Sequence, residues 1–299
     1  MTATPAIFDT QLVLPDAGLD QRATTLLGFE QRYASVHEHL RLMMEAADLP
    51  AWNKNFHKSQ LNLAALVQDQ YPFVIFHGDV GTGKTATAEA IASRIVRKAR
   101  AEDSQLFKLS NRVRGSGMVG EMGTLISEAF RQITASIGKT RRAILVIDEG
   151  DSLAATRTQD HAHHEDKVGV NTLIQHIDEL RRYQGRIVVI LCTNRLSVVD
   201  PALRRRAAII EKFTRPDDAA RRALFSMDLT GLQPSPAQLS KLVEVTGEQQ
   251  GRPAWTYSDI RTRLYPNALA KVFPDRPLTI EVILQVAAGM APSPVMEDR

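Results

Sequence analysis

Two stretches of this chain carry residue types whose spacing suits phosphate chemistry. Residues 78–85 read Gly78-Asp79-Val80-Gly81-Thr82-Gly83-Lys84-Thr85, satisfying G-x-x-x-x-G-K-[ST] at every fixed position. The glycines let a chain curl so that successive N–H groups point inward at a phosphate. A helix beginning at Lys84 and running through Ala86 would add its positive end. On this reading Lys84 reaches the β- and γ-phosphates, and Thr85 places its hydroxyl on Mg²⁺. The second stretch, residues 144–149, is Ile-Leu-Val-Ile-Asp-Glu: an apolar strand ending in two carboxylates. Asp148 would hold Mg²⁺ largely through water. Glu149, with no metal role required of it, would polarise an attacking water as general base. Each stretch alone could be a turn; together they point to hydrolysis of ATP or GTP by direct attack of water.

A third polar position sits at a strand tip. Residues 187–192 are apolar and lead into Thr193-Asn194, so Asn194 could touch both the γ-phosphate and the water. Further on comes Arg204-Arg205-Arg206. Three guanidiniums cannot all be buried in one subunit without partners. Either they form a solvated basic turn, or one enters a neighbour's site to neutralise charge on the phosphoryl oxygens. The second option requires a ring, because a head-to-tail interface serves every site only if it closes.

These groups need a scaffold that brings strand ends together. Short apolar runs at 73–76, 107–109, 143–147, 187–192 and 208–213 alternate with helical patterns at 84–99, 125–137 and 170–182. That alternation predicts an α/β fold: a parallel five-stranded sheet covered by helices on both faces. Before it, residues 1–50 read as an N-terminal extension, a loose segment followed by a helix over 31–47 that ends at Asp48-Leu49-Pro50. A short helix at 59–68 opens the 51–215 ATPase domain. After it, 216–290 reads as a small all-helical lid, with helices at 217–228, 236–246, 258–273 and 278–288. Residues 291–299 read as a flexible tail.

Composition removes other classes. The 299 residues are 43% apolar and 24% charged, which excludes a disordered tail protein. A single cysteine, Cys192, excludes a disulfide scaffold and a cysteine-built zinc site. No apolar run is long enough to span a membrane, and no secretory leader is legible, so a cytoplasmic protein is expected. The 37 basic and 34 acidic residues, net +3, are spread along the chain. No direct nucleic-acid contact is expected from that distribution.

The strand–GxxxxGK[ST]–helix unit, the apolar strand ending in Asp-Glu, the Asn-tipped strand, and Asp200-Pro201-Ala202-Leu203 followed by arginines together resemble an AAA+ ATPase. A closer resemblance, to the pachytene-checkpoint family that remodels HORMA-domain proteins, lies in residues 147–155 (IDEGDSLAA), 171–178 (NTLIQHID) and 187–194 (IVVILCTN). The family's finger segment lines up with Arg205-Arg206-Ala207-Ala208-Ile209. This implies Arg206 as the first candidate finger and Arg205 as the second. The resemblance implies a homo-hexamer that hydrolyses ATP with Mg²⁺ and pulls a flexible end of a HORMA protein into its pore. Met118 falls where the family carries a pore-loop aromatic, and Val119 follows it. Arg261 lies one residue out of register from the family's second sensor, with Arg263 as the alternative. Residues 156–167, with His161, His163 and His164, match no usual zinc spacing and read as a second pore loop. The short N-terminal region is similar to the bacterial relatives of antiphage (CBASS) operons, encoded beside a HORMA protein and a cGAS/DncV-like nucleotidyltransferase. The alternative is a DNA-associated AAA+ protein of clamp-loader or helicase-loader type.

Overall fold

A computed structural model describes residues 7–59, 61–114, 120–153, 164–249 and 251–296. The chain opens with strand β1 (Phe8–Leu14), then helices α1 (Ala17–Thr25), α2 (Phe29–Met44), α3 (Leu49–His57) and α4 (Asn62–Gln68). Next come β2 (Phe73–Gly78), α5 (Lys84–Lys98), β3 (Ser104–Leu109), α6 (Glu121–Ser136), β4 (Ala143–Ile147), α7 (Gly150–Leu153) and α8 (His164–Leu180). β5 (Ile187–Thr193), α9 (Pro201–Arg206) and β6 (Ile209–Phe213) complete the sheet region. The rest is helical: α10 (Asp218–Asp228), α11 (Pro236–Val245), a π-helical stretch Asp259–Leu264, α12 (Tyr265–Ala270) and α13 (Ile280–Ala288).

The sheet has the order β1-β3-β4-β5-β2-β6. The five strands β2 to β6 pair in parallel, as the apolar runs indicate. All five residues of β4 and all seven of β5 are buried, because helices cover both faces. One face packs α6 and α8 through residues such as Ile126, Phe130, Leu173 and Ile177. The other packs α5 and α2 through Ile91, Ile95, Val36 and Leu40. The lid has its own core of Leu224, Phe225, Leu242, Trp255, Ile260 and Ile283.

The front of the chain departs from the sequence expectation. Residues 8–14 are not loose: β1 pairs antiparallel with β3, from Phe8 opposite Leu109 to Leu14 opposite Ser104. Alternate residues face outward, with Asp9, Gln11 and Val13 exposed. The strand is therefore half polar and covers only one edge. Residues 49–57 also form a helix, with Pro50 in its first turn, where a missing N–H leaves no bond unmade. α1 and α2 contribute Leu19, Ala23, Phe29 and Tyr33 to the core beneath the sheet.

Candidate nucleotide site

In a parallel sheet the C-terminal strand ends share one rim, where ligands of open α/β folds bind. Register places the candidates there together. His77 lies opposite Thr193, and Ile147 opposite both Leu191 and Leu109. Gly78, Asp148, Asn194 and the turn after β3 therefore emerge side by side. Gly78 has φ +131°, and a Cβ there would lie 2.0 Å from the carbonyl oxygen of Phe213. Only glycine lets β6 run this close beneath the loop.

The side chains at the rim are already bonded to one another. Lys84 Nζ donates to the carbonyls of Gly78 and Asp79, both at 2.8 Å, and to Asn194 Oδ1 at 3.0 Å. Lys84 is buried at 7% exposure. Desolvation lowers its pKa, and the nearby Cys192, Asp148 and Asp79 oppose that shift. Its three bonds go to neutral oxygens, leaving a buried positive charge suited to an entering phosphate. Thr85 Oγ1 donates to Asp148 Oδ1 at 2.9 Å, and Lys108 Nζ stands 3.3 Å from Asp148 Oδ2. A hydroxyl and a carboxylate in contact form the hard-oxygen donor set that Mg²⁺ takes at phosphates. Cys192 lies fully buried beneath the site, and burial pushes its thiol well above the ordinary range. It is an inert thiol.

Glu149 adopts φ +50°, an uncommon conformation for a side-chain-bearing residue and one that clusters at functional sites. Asn111, just beyond β3, donates from Nδ2 to Glu149 Oε2 at 2.8 Å. Sequence reasoning missed Asn111. A polar residue at the tip of the strand beside β4 was the available signal.

The arginine triplet sits on α9, whose start is set by Asp200 accepting from the Ala202 N–H, with Pro201 in the first turn. Arg206 Nε and Nη2 donate to the two Asp178 oxygens at 2.5 and 2.9 Å, and Nη1 to the Ala202 carbonyl. Its guanidinium also lies over the Tyr71 ring. Arg205 is exposed and, among the described residues, has no partner. One chain thus holds Arg206 in cis and presents Arg205.

The lid meets the phosphate loop at Gly81. The Ser258 N–H donates to the Gly81 carbonyl at 3.1 Å. A Cβ on Gly81, whose φ is +73°, would fall 2.7 Å from both Ser258 Cβ and Thr256 Oγ1. Arg261 is placed elsewhere: Nε and Nη2 donate to the Asp228 carboxylate, and Nη1 to the Thr25 carbonyl at 2.7 Å. It ties the lid to the end of α1. Arg261 lies within the π-helical stretch Asp259–Leu264. Arg263 pairs with Asp259. Met118, Val119, His161 and His163 lie outside the described residues, as does the side chain of His164. Among the described residues no cluster of three metal-ligating groups occurs, and no helix is long and apolar enough to cross a membrane.

Comparison with known proteins extends this geometry. Residues 74–215 match the family model described as ATPase family associated with various cellular activities (AAA). CD-NTase-associated protein 6 of Escherichia coli strain KTE188 is 61% identical, over 98% of both chains. A chain of the solved E. coli MS115-1 HORMA:CdnC:Trip13 complex superposes with a TM-score of 0.87 at 34% identity, over 99% of this chain and 100% of that one. The structure of Rhizobiales Trip13 follows at 0.70 and 30% identity, over 96% and 100%.

Proposed function

Since the chain belongs to the AAA ATPases and, among them, to the CD-NTase-associated protein 6 family, we propose that it is an ATP-driven remodeller of a HORMA-domain protein. In this reading it acts in the cytoplasm, in a bacterial antiphage system with a cGAS/DncV-like nucleotidyltransferase. The observation that carries the reading is the pairing of a complete hydrolytic rim with near full-length likeness to a chain of a HORMA:CdnC:Trip13 complex. The 37 basic and 34 acidic residues are spread along the sequence, which does not favour the clamp-loader alternative.

The roles follow from the bonds described. Gly78 to Ala86 cradle the phosphates with backbone N–H groups, and Lys84 exchanges its carbonyl partners for phosphate oxygens. Thr85 and Asp148 would hold Mg²⁺, which supplies positive charge to the β- and γ-phosphate oxygens when bound. Glu149 accepts a proton from the attacking water once Asn111 releases its carboxylate. Asn194, already on Lys84, orients that water and reads the γ-phosphate. Arg205 and Arg206 complete a neighbouring site. Arg205 is free to reach out, whereas Arg206 must first leave Asp178. Arg261 serves the lid hinge through Asp228 rather than the phosphates. Met118 and Val119 would grip the substrate chain in the pore.

A homo-hexameric ring is supported by apolar surface in two regions of the chain. Trp52, Phe56, Leu63 and Leu66 of α3 and α4 are 43–73% exposed, and Leu269 of α12 and Phe273 just after it are 48% and 78% exposed. Large exposed apolar groups of this kind mark interfaces, and two unlike patches on one chain suit head-to-tail contact between copies.

The test mixes protein, ATP and a closed HORMA–peptide complex, comparing wild type with Glu149→Gln. Peptide release by wild type alone, with the variant still loading nucleotide, is the expected result. Equal release by both, or hydrolysis stimulated by DNA and never by HORMA protein, overturns the reading.

A further inference from the structure

Arg215 joins β6 to the lid and uses its whole guanidinium to do so. Nε donates to Asp79 Oδ2 in the phosphate loop, Nη1 to the Ala254 carbonyl at 2.6 Å, and Nη2 to the carbonyls of Ser293 and Pro294, both at 2.9 Å. The Arg215 and Asp79 side chains are each 11% exposed. The other Asp79 oxygen accepts from the N–H of Val80 at 2.9 Å and of Met296 at 3.2 Å. Residues 291–296 have no regular secondary structure, yet Ser293, Pro294 and Met296 are each hydrogen-bonded to the rest of the chain. Ser293 donates its N–H and hydroxyl to Asp259, which is 1% exposed. Asp259 in turn accepts from the N–H of Thr256 and donates its own N–H to the Thr256 hydroxyl. Thr256 and Ser258 are the residues that close on Gly81.

Together these contacts form a closed circuit: Asp79, Arg215, the C-terminal strap, Asp259, Thr256, and, through the Ser258 N–H, back to the Gly81 carbonyl of the phosphate loop. Asp79 belongs to two sets of bonds at once. Its carbonyl accepts from Lys84, and its carboxylate from Arg215 and the strap. Lys84 spends its three N–H donors on Gly78, Asp79 and Asn194, so a bond to phosphate displaces at least one of these partners, and exchange at the Asp79 carbonyl couples loop occupancy to the residue that holds the strap. We propose that Arg215 is a positioning residue which, with the strap 293–296, latches the lid to the phosphate loop and slows nucleotide release. The inference rests on the nucleotide site argued above and adds a role for the C-terminal segment.

The experiment follows association and release of a fluorescent ADP analogue on the full chain, on Arg215→Gln, on Arg215→Lys, and on a chain ending at Pro292. Release is expected to accelerate about tenfold in Arg215→Gln and in the shortened chain, with Arg215→Lys between, while association stays within about twofold. Trp255 adjoins Ala254 and is buried in the lid core, so its emission should respond to ADP in wild type and much less in the variants. If Arg215→Gln fails to fold, the shortened chain decides. Wild-type-like release in the shortened chain, with intact ADP binding, overturns the latch alone. A wild-type chain that binds no ADP overturns the nucleotide site and the latch with it.

Discussion

Replacing Gly81 by alanine puts a number on the seating of the lid. Two penalties act on the new Cβ. The left-handed backbone, φ +73°, costs a side-chain-bearing residue roughly 1–2 kcal/mol. The Cβ would also lie 2.7 Å from Ser258 Cβ and Thr256 Oγ1, an overlap that neighbours relieve at ~1–3 kcal/mol. Gly28→Ala isolates the first penalty, since that residue has φ +70° and nothing within 4 Å. In a domain of this size each kcal/mol lowers Tm by about 2–4 °C. Gly81→Ala should therefore fall roughly 5–15 °C below wild type, and Gly28→Ala only a few degrees. If the lid swings away instead, the Ser258–Gly81 bond is lost at about 1 kcal/mol. The deficit then moves from Tm to ADP affinity, so both are measured, by calorimetry and by titration. Gly81→Ala matching Gly28→Ala in Tm, with native ADP affinity, would refute the seating of the lid on the loop.

Glu149→Gln is expected to lower ATP turnover by ~10²-fold or more while retaining nucleotide, read as phosphate release against ADP titration. Arg205→Ala should lower turnover by ~10³-fold in the assembled protein and leave ADP binding unchanged; full turnover in both Arg205→Ala and Arg206→Ala would remove the trans finger. His176 stacks on Phe130 with its pKa below the ordinary 6.5, chiefly through burial. The unfolded chain then takes up that proton first, so this contribution to stability is complete above pH 6.5 and declines as pH falls below it. Tm of wild type should drop more between pH 7 and 5.5 than that of His176→Phe; parallel curves would contradict the sign.

What the sequence disclosed depended on how local each constraint was. β4 and β5 were legible because burial on both faces demands unbroken apolar runs, here residues 143–147 and 187–192. The phosphate loop was legible because its chemistry needs eight adjacent residues. β1 was not, because an edge strand with Asp9 and Gln11 outward looks like polar coil until β3 is beside it. Arg215 was invisible for the same reason, and Asn111 showed only as a polar residue past a strand tip. Their partners Asp79 and Glu149 lie 136 and 38 positions away, and only the folded sheet and lid bring them together. The order of the two arginines also turns on distance, since Asp178, which holds Arg206, is 28 positions upstream.

The antiparallel edge strand has a consequence for a machine that handles loosened polypeptide. An uncovered β3 would offer a row of unsatisfied N–H and C=O groups to any extended segment nearby. With β1 laid along it from Phe8 to Leu14, that row is already taken by a strand of the same chain. The open edge passes to β1 itself, a seven-residue strand with a register shift between Phe8 and Thr10, and short or bulged edges of this kind are poor templates for a further strand.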